Sequence, residues 1–136
     1  MSVHEVLDAI RSVLHSRVGK DVASRLNTQL YMIDMEKEGC RLTSDGQSYS
    51  YVLDREAAEP LQTLSIVFFL HYKTPVEVSE LAESIRKALD IHTHFKYNSI
   101  DFQVITPTSG LALVGYDKLF YGGSIRFDVF FKEIKE

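Results

Sequence analysis

The segment Leu61–Tyr72 constrains the fold most, because it predicts a central strand and leads directly into a capped helix. Its middle positions are largely apolar on both faces, which is typical of a strand covered on both sides. Thr74 and Glu77 then form a capping box around Pro75, a residue favoured at the first helical position. The apolar residues that follow recur at spacings of three and four, and they predict a helix that reaches Leu89.

The same periodicities predict the other elements. A capping-box pattern at Ser2 and Glu5 opens an N-terminal amphipathic helix that ends or is extended near Gly19. The predicted further strands are Leu30–Met35, Tyr49–Leu53, Ile100–Ile105, Leu111–Tyr116 and Gly123–Ile134. This order predicts an α+β fold in a single domain over 1–136, with two main helices packed on a mixed, mostly antiparallel sheet.

Four segments are predicted to connect these elements. Glu38–Ser48 is polar, and Gly46 after Asp45 is a hairpin-turn signal. Asp54–Pro60 is charged and ends in proline, so it predicts a loop. Pro107–Gly110 predicts a turn between two strands. Asp117–Gly122 is expected to link the last two strands.

Composition excludes several classes of protein. The chain has 136 residues, 45% hydrophobic and 25% charged, which is ordinary for one globular domain. A net charge of −4 argues against nucleic-acid binding as the main activity. The single cysteine, Cys40, allows no internal disulfide and fits a reducing compartment. No signal peptide is predicted, and the longest apolar run, Ile66–Leu70, is too short to span a membrane.

No group of residues forms a recognisable catalytic or metal-binding pattern. His92 and His94 would share a face in a strand, and His71 could approach them, but a metal site needs three or four ligands. Cys40 precedes Arg41, which could lower a thiol pKa, yet no base is marked beside it. The pair Gly122-Gly123 precedes a strand, so it predicts a tight turn or bulge, not a phosphate loop. We therefore expect no enzyme activity and no cofactor.

The last strand carries one aromatic residue on its polar face. Ile125, Phe127, Val129 and Phe131 alternate with Arg126, Asp128, Phe130 and Lys132. Phe130 is therefore expected to be covered by a helix or by another subunit. If this long strand lies at the edge of the sheet, it could also extend the sheet into a neighbouring subunit.

In its layout the chain resembles a phage protein family. The residues that carry the resemblance are the second helix with its preceding strand, HYKTPVEVSELAESIRKAL, and the closing strand, YGGSIRFDVFFKEI. Together with the capped N-terminal helix, they are similar to tail terminator or tail-completion proteins of long-tailed phages, including minor capsid-type proteins. The resemblance implies a structural role in virion assembly. The expected form is a ring homo-oligomer, commonly a hexamer, at the head-proximal end of the tail tube.

The resemblance also implies partners, a location and an interface. The partners are other copies of the chain, the tail-tube protein and the head connector. No membrane and no specific nucleic acid are implied, although DNA can pass through such a ring. The location is the virion tail, and the host cytoplasm during assembly. Gly39–Tyr51 matches a mobile loop of the family. The predicted interface residues are Gly39, Cys40, Arg41, Asp45, Gly46, Tyr49, Arg126, Asp128 and Phe130.

Two other classes of function remain open at this point. The first is a small-molecule-binding or regulatory α+β module, which needs a pocket with convergent polar groups. The second is an enzyme that uses His71, His92 or His94.

Overall fold

A computed structural model describes residues 2–32, 36–51, 60–117 and 119–134. The elements, in chain order, are α1 (Val3–Val18), α2 (Lys20–Leu26), β1 (Thr28–Leu30), β2 (Gly39–Tyr51), β3 (Pro60–Tyr72), α3 (Pro75–Leu89), β4 (Phe95–Tyr97), β5 (Ile100–Pro107), β6 (Ala112–Asp117) and β7 (Phe120–Glu133). In this part of the chain, no helix is long and apolar enough to cross a membrane.

Both long helices begin at the predicted caps. The Ser2 hydroxyl accepts a hydrogen bond from the Glu5 N–H at 3.3 Å, and the Thr74 hydroxyl accepts one from the Glu77 N–H at 3.2 Å. Each bond satisfies an amide that the first helical turn leaves without a partner. The predicted break at Gly19 is confirmed by its φ of 88°, and the short helix α2 begins directly after it.

The strands form one mixed sheet. Its order is β1-β2-β3-β7-β5-β4, and β6 also pairs with β7. Among the described strands only β1 and β2 pair in parallel, so the prediction of a mostly antiparallel sheet is confirmed. β5 pairs with the second half of β7 and β6 with the first half, so these two strands lie end to end along one side of β7.

The helices and one face of the sheet enclose the hydrophobic core. Even-numbered residues of β3 from Leu64 to Tyr72 point into it, as do odd-numbered residues of β7 from Ile125 to Phe131. These side chains pack with the apolar faces of α1 and α3 in one buried cluster. The two predicted main helices therefore supply most of the helical layer, and α2 adds Leu26 to it.

The predicted loop over Gly39–Tyr51 is wrong, because this segment is the long strand β2. It pairs with β3 along its whole length, and the signal at Asp45-Gly46 marks a register shift and not a hairpin turn. Cys40 and Leu42 point into the core, whereas the polar residues that suggested a loop lie on the other face or beyond the bulge. A long apolar partner strand overrides the polar local sequence.

The connections at the C-terminal end also differ from the prediction. After Pro107 the chain passes Gly110 and continues in the same direction as β6, so no reversal occurs there. Gly122-Gly123 lies inside β7 and forms no turn; the bulge is on the paired strand β6, between Leu113 and Gly115. The predicted linker Asp117–Gly122 is shorter, since β7 already begins at Phe120.

β7 is an interior strand, so it does not meet the condition under which it could extend the sheet into a neighbouring subunit. β3 pairs with one of its sides, and β5 and β6 pair with the other.

Several predicted boundaries fall partly outside the described residues. β1 ends at Leu30, since Tyr31 has a φ of 67° that turns the chain away, and positions 33–35 are not described. β2 confirms a strand as far as Tyr51, and positions 52–53 of that prediction are not described. Positions 54–59 of the predicted Asp54–Pro60 loop are not described, and Pro60 begins β3. The short strand β4 was not predicted.

Candidate interface on the open face of the sheet

All three helices lie on the core side, and in the described residues none packs on the opposite face of the sheet. We call this opposite surface the open face. It is formed by outward-pointing residues of β2, β3 and β7: Arg41, Thr43, Asp45, Thr63, Ser65, Val67, Phe69, Arg126, Asp128 and Phe130.

Strand order brings distant parts of the sequence together on this face. β2 and β7 flank β3, so Val67 of β3 lies between Thr43 on one side and Arg126 on the other. Ser65 and Asp128 are cross-strand partners one step further along. Residues near positions 41–45 and 126–130 therefore share one surface, although more than half of the chain separates them.

Polar and charged side chains on the open face are paired with one another. Arg126 forms an ion pair with Asp45, which bridges the two strands on either side of β3. The Ser65 hydroxyl donates a hydrogen bond to Asp128 Oδ1 at 2.8 Å. Because both charges of the ion pair are substantially exposed, it contributes at most about 1 kcal/mol to stability.

Two aromatic residues give the open face apolar surface. The Arg41 guanidinium lies 4.4 Å from the centroid of the Phe69 ring, a cation–π contact. At the other end of the face, half-buried Phe130 lines a shallow pocket of about 340 Å³. The other residues of this pocket are Leu61, Gln103, Val104 and Lys132. We call it the apolar notch.

Five of the predicted interface residues are brought together here. Arg41 and Asp45 extend from β2, and Arg126, Asp128 and Phe130 extend from β7. The sequence predicts that a helix or another subunit covers Phe130. In the described residues no helix packs over this face, so another subunit is the alternative that remains.

The other predicted interface residues are not part of this side-chain cluster. Cys40 is fully buried in the core, where burial raises the pKa of its thiol to about 12 despite a hydrogen bond with Thr28. Gly39 is buried and pairs with His71, and Gly46 is exposed at the bulge of β2. Tyr49 lies in β2, but its side chain is outside the described part of the structure.

The histidines that suggested an enzyme or metal site are not assembled into one. His71 is buried, its Nε2 pairs with the Lys37 carbonyl oxygen, and its ring centroid is 5.1 Å from that of Phe120. His92 is exposed and bonds Asp90 at 2.7 Å, and His94 is exposed nearby. Among the described residues, no group of three potential metal ligands is found.

Sequence reasoning missed the contribution of β3 to the open face. The apolar pattern predicts that Ser65, Val67 and Phe69 belong to a strand covered on both sides, and Val67 is indeed fully buried. Thr63, Ser65 and Phe69 are only half-buried. The signal was available in the two polar residues, since a strand covered on both sides seldom carries polar residues at alternate positions.

Comparison with known proteins identifies a shared fold. No protein-family model and no curated protein matches this sequence. Among solved structures, a chain of the virion of a native gene transfer agent (GTA) particle matches with a TM-score of 0.61 at 10% sequence identity. The match covers 93% of this chain and 94% of that chain. At this identity the likeness establishes a common fold over nearly the whole of both chains.

Proposed function

We propose that this protein is a structural component of a phage-like virion. Within the virion, we propose that it is the tail terminator or tail-completion protein, which forms a ring of identical subunits at the head-proximal end of the tail tube. The observation that carries the proposal is the open face, a broad surface with no helix of the described chain packed over it. The partners on this proposal are copies of the chain, the tail-tube protein and the head connector.

The shared fold supports the coarser part of the proposal. The neighbour is part of an assembled virion, and the match extends over nearly the whole of both chains, not over one common motif. The tail position and the ring rest on the resemblance in the sequence and on the surfaces described here.

The composition of the open face fits a protein interface. Asp45 and Arg126 neutralise each other within the chain, and the Asp128 carboxylate accepts a hydrogen bond from Ser65, so a partner that covers the face meets fewer unsatisfied polar groups. Phe69 and Phe130 supply the aromatic surface that is enriched at the centre of interfaces. A ring contact joins two different surfaces of neighbouring subunits, and the open face can serve as one of them.

The proposal is tested with Phe130→Glu, which places a charge in the apolar notch. Because Phe130 is only half-buried, the monomer should still fold, and circular dichroism checks this. We expect the variant to lose binding to tail tubes in electron micrographs and sedimentation assays. The matched control is Glu80→Ala on the exposed side of α3, away from the open face, which should bind like the wild type.

Two results would contradict the proposal. One is a wild-type protein that stays monomeric at high concentration and also fails to bind tail tubes. The other is a clear thermal stabilisation by a metabolite together with normal tail binding by the Phe130 variant. The second result would favour the small-molecule-binding alternative, and the apolar notch would be the first pocket to examine.

A further inference from the structure

The outer edge of β2 is largely unpaired in the described part of the chain. β1 pairs with it only from Cys40 to Leu42, because Asn27 and Tyr31 adopt left-handed conformations at φ 43° and 67° and keep β1 to three residues. Beyond Leu42, β2 continues to Tyr51 with β3 on one side only.

The hydrogen-bond pattern identifies the unpaired backbone groups. The Tyr31 N–H donates to the Leu42 carbonyl, so Leu42 directs its backbone groups away from β3. Successive residues of β3 direct their backbone groups alternately toward β2 and toward β7. The even-numbered residues of β3 direct these groups toward β7, so the other β2 residues opposite them direct theirs away from β3 on both sides of the bulge. They are Ser44, Gln47, Tyr49 and Tyr51. An unpaired row of this length is a template for a strand from another chain.

A second edge, along β6, is also without a partner strand in the residues that the structure describes, and it lies at the opposite side of the sheet. The Thr108 N–H donates to the Arg126 carbonyl, so even-numbered residues of β7 face β5 and β6. It follows from the β6 register that Leu113 and Tyr116 direct their backbone groups away from β7. β5 is closed in comparison, since β4 covers its start and Ile91 bonds Ile105 through both backbone groups.

We propose that the outer edge of β2 pairs with the outer edge of β6 in the next copy of this chain, so that the sheet continues from subunit to subunit. This inference rests on the ring of the proposed function. It names the contact that would close that ring.

Strand direction supports this pairing. Each of the contacts β2–β3, β3–β7 and β7–β6 is antiparallel, so β2 and β6 run in opposite directions within one subunit. Rotation about a ring axis preserves direction along that axis. β6 of the next subunit therefore meets β2 in the antiparallel sense, and every strand of the continued sheet alternates.

The register gives a geometric check. Within one subunit Leu113 is level with Cys40, through Gly123 and Leu70. Placing Leu113 of the next subunit beside Ser44, so that outward backbone groups face each other, moves it by about four residues, roughly 14 Å, along β2. Since four strands span about 19 Å across the sheet, the strands would tilt by about 35° from the ring axis. Closed barrels have strand tilts of about 35–45°.

Both edges carry a bulge next to a glycine, at Ser44/Gly46 in β2 and at Leu113/Gly115 in β6. Bulges and glycines increase strand twist and are used to curve sheets that close. They also protect edges that must remain unpaired. Cross-linking between subunits distinguishes the two roles.

The cross-linking experiment uses Thr43→Cys and Ala112→Cys in separate protein samples, because both side chains lie on the side of the open face. Native Cys40 is buried with a raised thiol pKa, so it should not react. A bis-maleimide with a spacer of roughly 10 Å spans neighbouring strands and tolerates a small shift in register. We expect cross-linked chains when the two variants are mixed and assembled on tail tubes, and none with either variant alone.

A second pair of variants tests the backbone hydrogen bonds themselves. Gln47→Pro removes an outward N–H that the β2–β3 ladder does not use, whereas Gln47→Thr retains it. We expect the proline variant to fold normally but to assemble about five- to tenfold more weakly, since one interchain bond per contact is lost. The threonine variant should assemble like the wild type.

The outcomes separate this inference from the proposed function. Rings that form on tail tubes without the mixed cross-link would overturn the strand pairing and leave the tail role intact. Cross-linking of the Thr43 variant alone would show β2 paired with β2, which also overturns it. Absence of any assembly or cross-link would contradict both the pairing and the ring.

Discussion

Replacing Gly123 with alanine adds a methyl group where the first turn of α3 packs on β7. The new Cβ would lie 2.8 Å from Leu111 Cδ1 and 2.9 Å from Val78 Cγ1, both well inside van der Waals contact. Leu111 can move because the atom is the end of a half-buried, flexible side chain. Val78 is fully buried on α3 and β-branched, so relief there requires the helix to shift.

The expected net effect is a loss of stability. Overpacking of this kind costs about 1–3 kcal/mol. Gly123 does not have a positive φ, so alanine can adopt its backbone conformation. Alanine also restricts the unfolded chain, which stabilises the folded protein by about 0.4–1 kcal/mol. We therefore expect Gly123→Ala to lower the free energy of unfolding by about 1–2 kcal/mol, measured by urea denaturation.

Two further variants isolate the cause. Gly110→Ala is the control, since a Cβ there meets nothing within 4 Å, and we expect no loss of stability. Val78→Ala removes the obstructing methyl groups, so the double variant should lose less stability than the sum of the single losses, by about 1 kcal/mol. Two results would refute this reasoning: a Gly123→Ala variant as stable as the Gly110→Ala variant, or a double variant whose loss of stability equals the sum of the two single losses. Either would show that the close packing of α3 on β7 does not require glycine at this position.

Three further predictions concern single groups. Thr74→Ala should destabilise the protein by about 1 kcal/mol, seen in urea denaturation, because the Glu77 amide loses its cap; an unchanged midpoint would contradict this. Desolvation, and secondarily Arg11, lowers the pKa of His15 below 6.5, so the unfolded chain binds the proton more readily. Stability should therefore fall as pH drops below about 6.5, and His15→Asn should reduce that fall; equal pH profiles would refute it. Cys40 should react with a thiol reagent only at the rate of unfolding, as native-state labelling with and without urea can show, because burial raises its thiol pKa to about 12.

The elements that could be predicted from sequence are those whose signals are local. α3 has a capping box and a continuous apolar stripe, and β3 has a run of strand-forming residues, so neither depends on a distant partner for recognition. β2 depends on one. Its sequence from Arg41 to Ser50 is mostly polar, and only pairing with β3 makes it a strand. Local composition cannot reveal such a pairing, because the partner contributes the apolar surface.

The candidate interface was predicted residue by residue but not as a surface. Phe130 stood out because it breaks the polar face of its strand, and Arg126 and Asp128 follow from that alternation. Their meeting with Asp45 depends on the order β2-β3-β7, which places the last strand of the chain beside an early one. That order is a property of the whole sheet, and no short segment encodes it.

The open face and the two edges can meet different requirements of one assembly. Because Asp45 is paired with Arg126 inside the chain, what the face offers a partner is mainly the apolar notch around Phe130. Apolar contact is not directional, so it supplies binding energy without fixing how subunits are oriented. Strand pairing is directional, and between β2 and β6 it allows only a head-to-tail arrangement. A sheet whose described residues leave one face without a helix and two dissimilar edges without partner strands would therefore give the proposed ring both a surface to bind with and a contact that sets the direction.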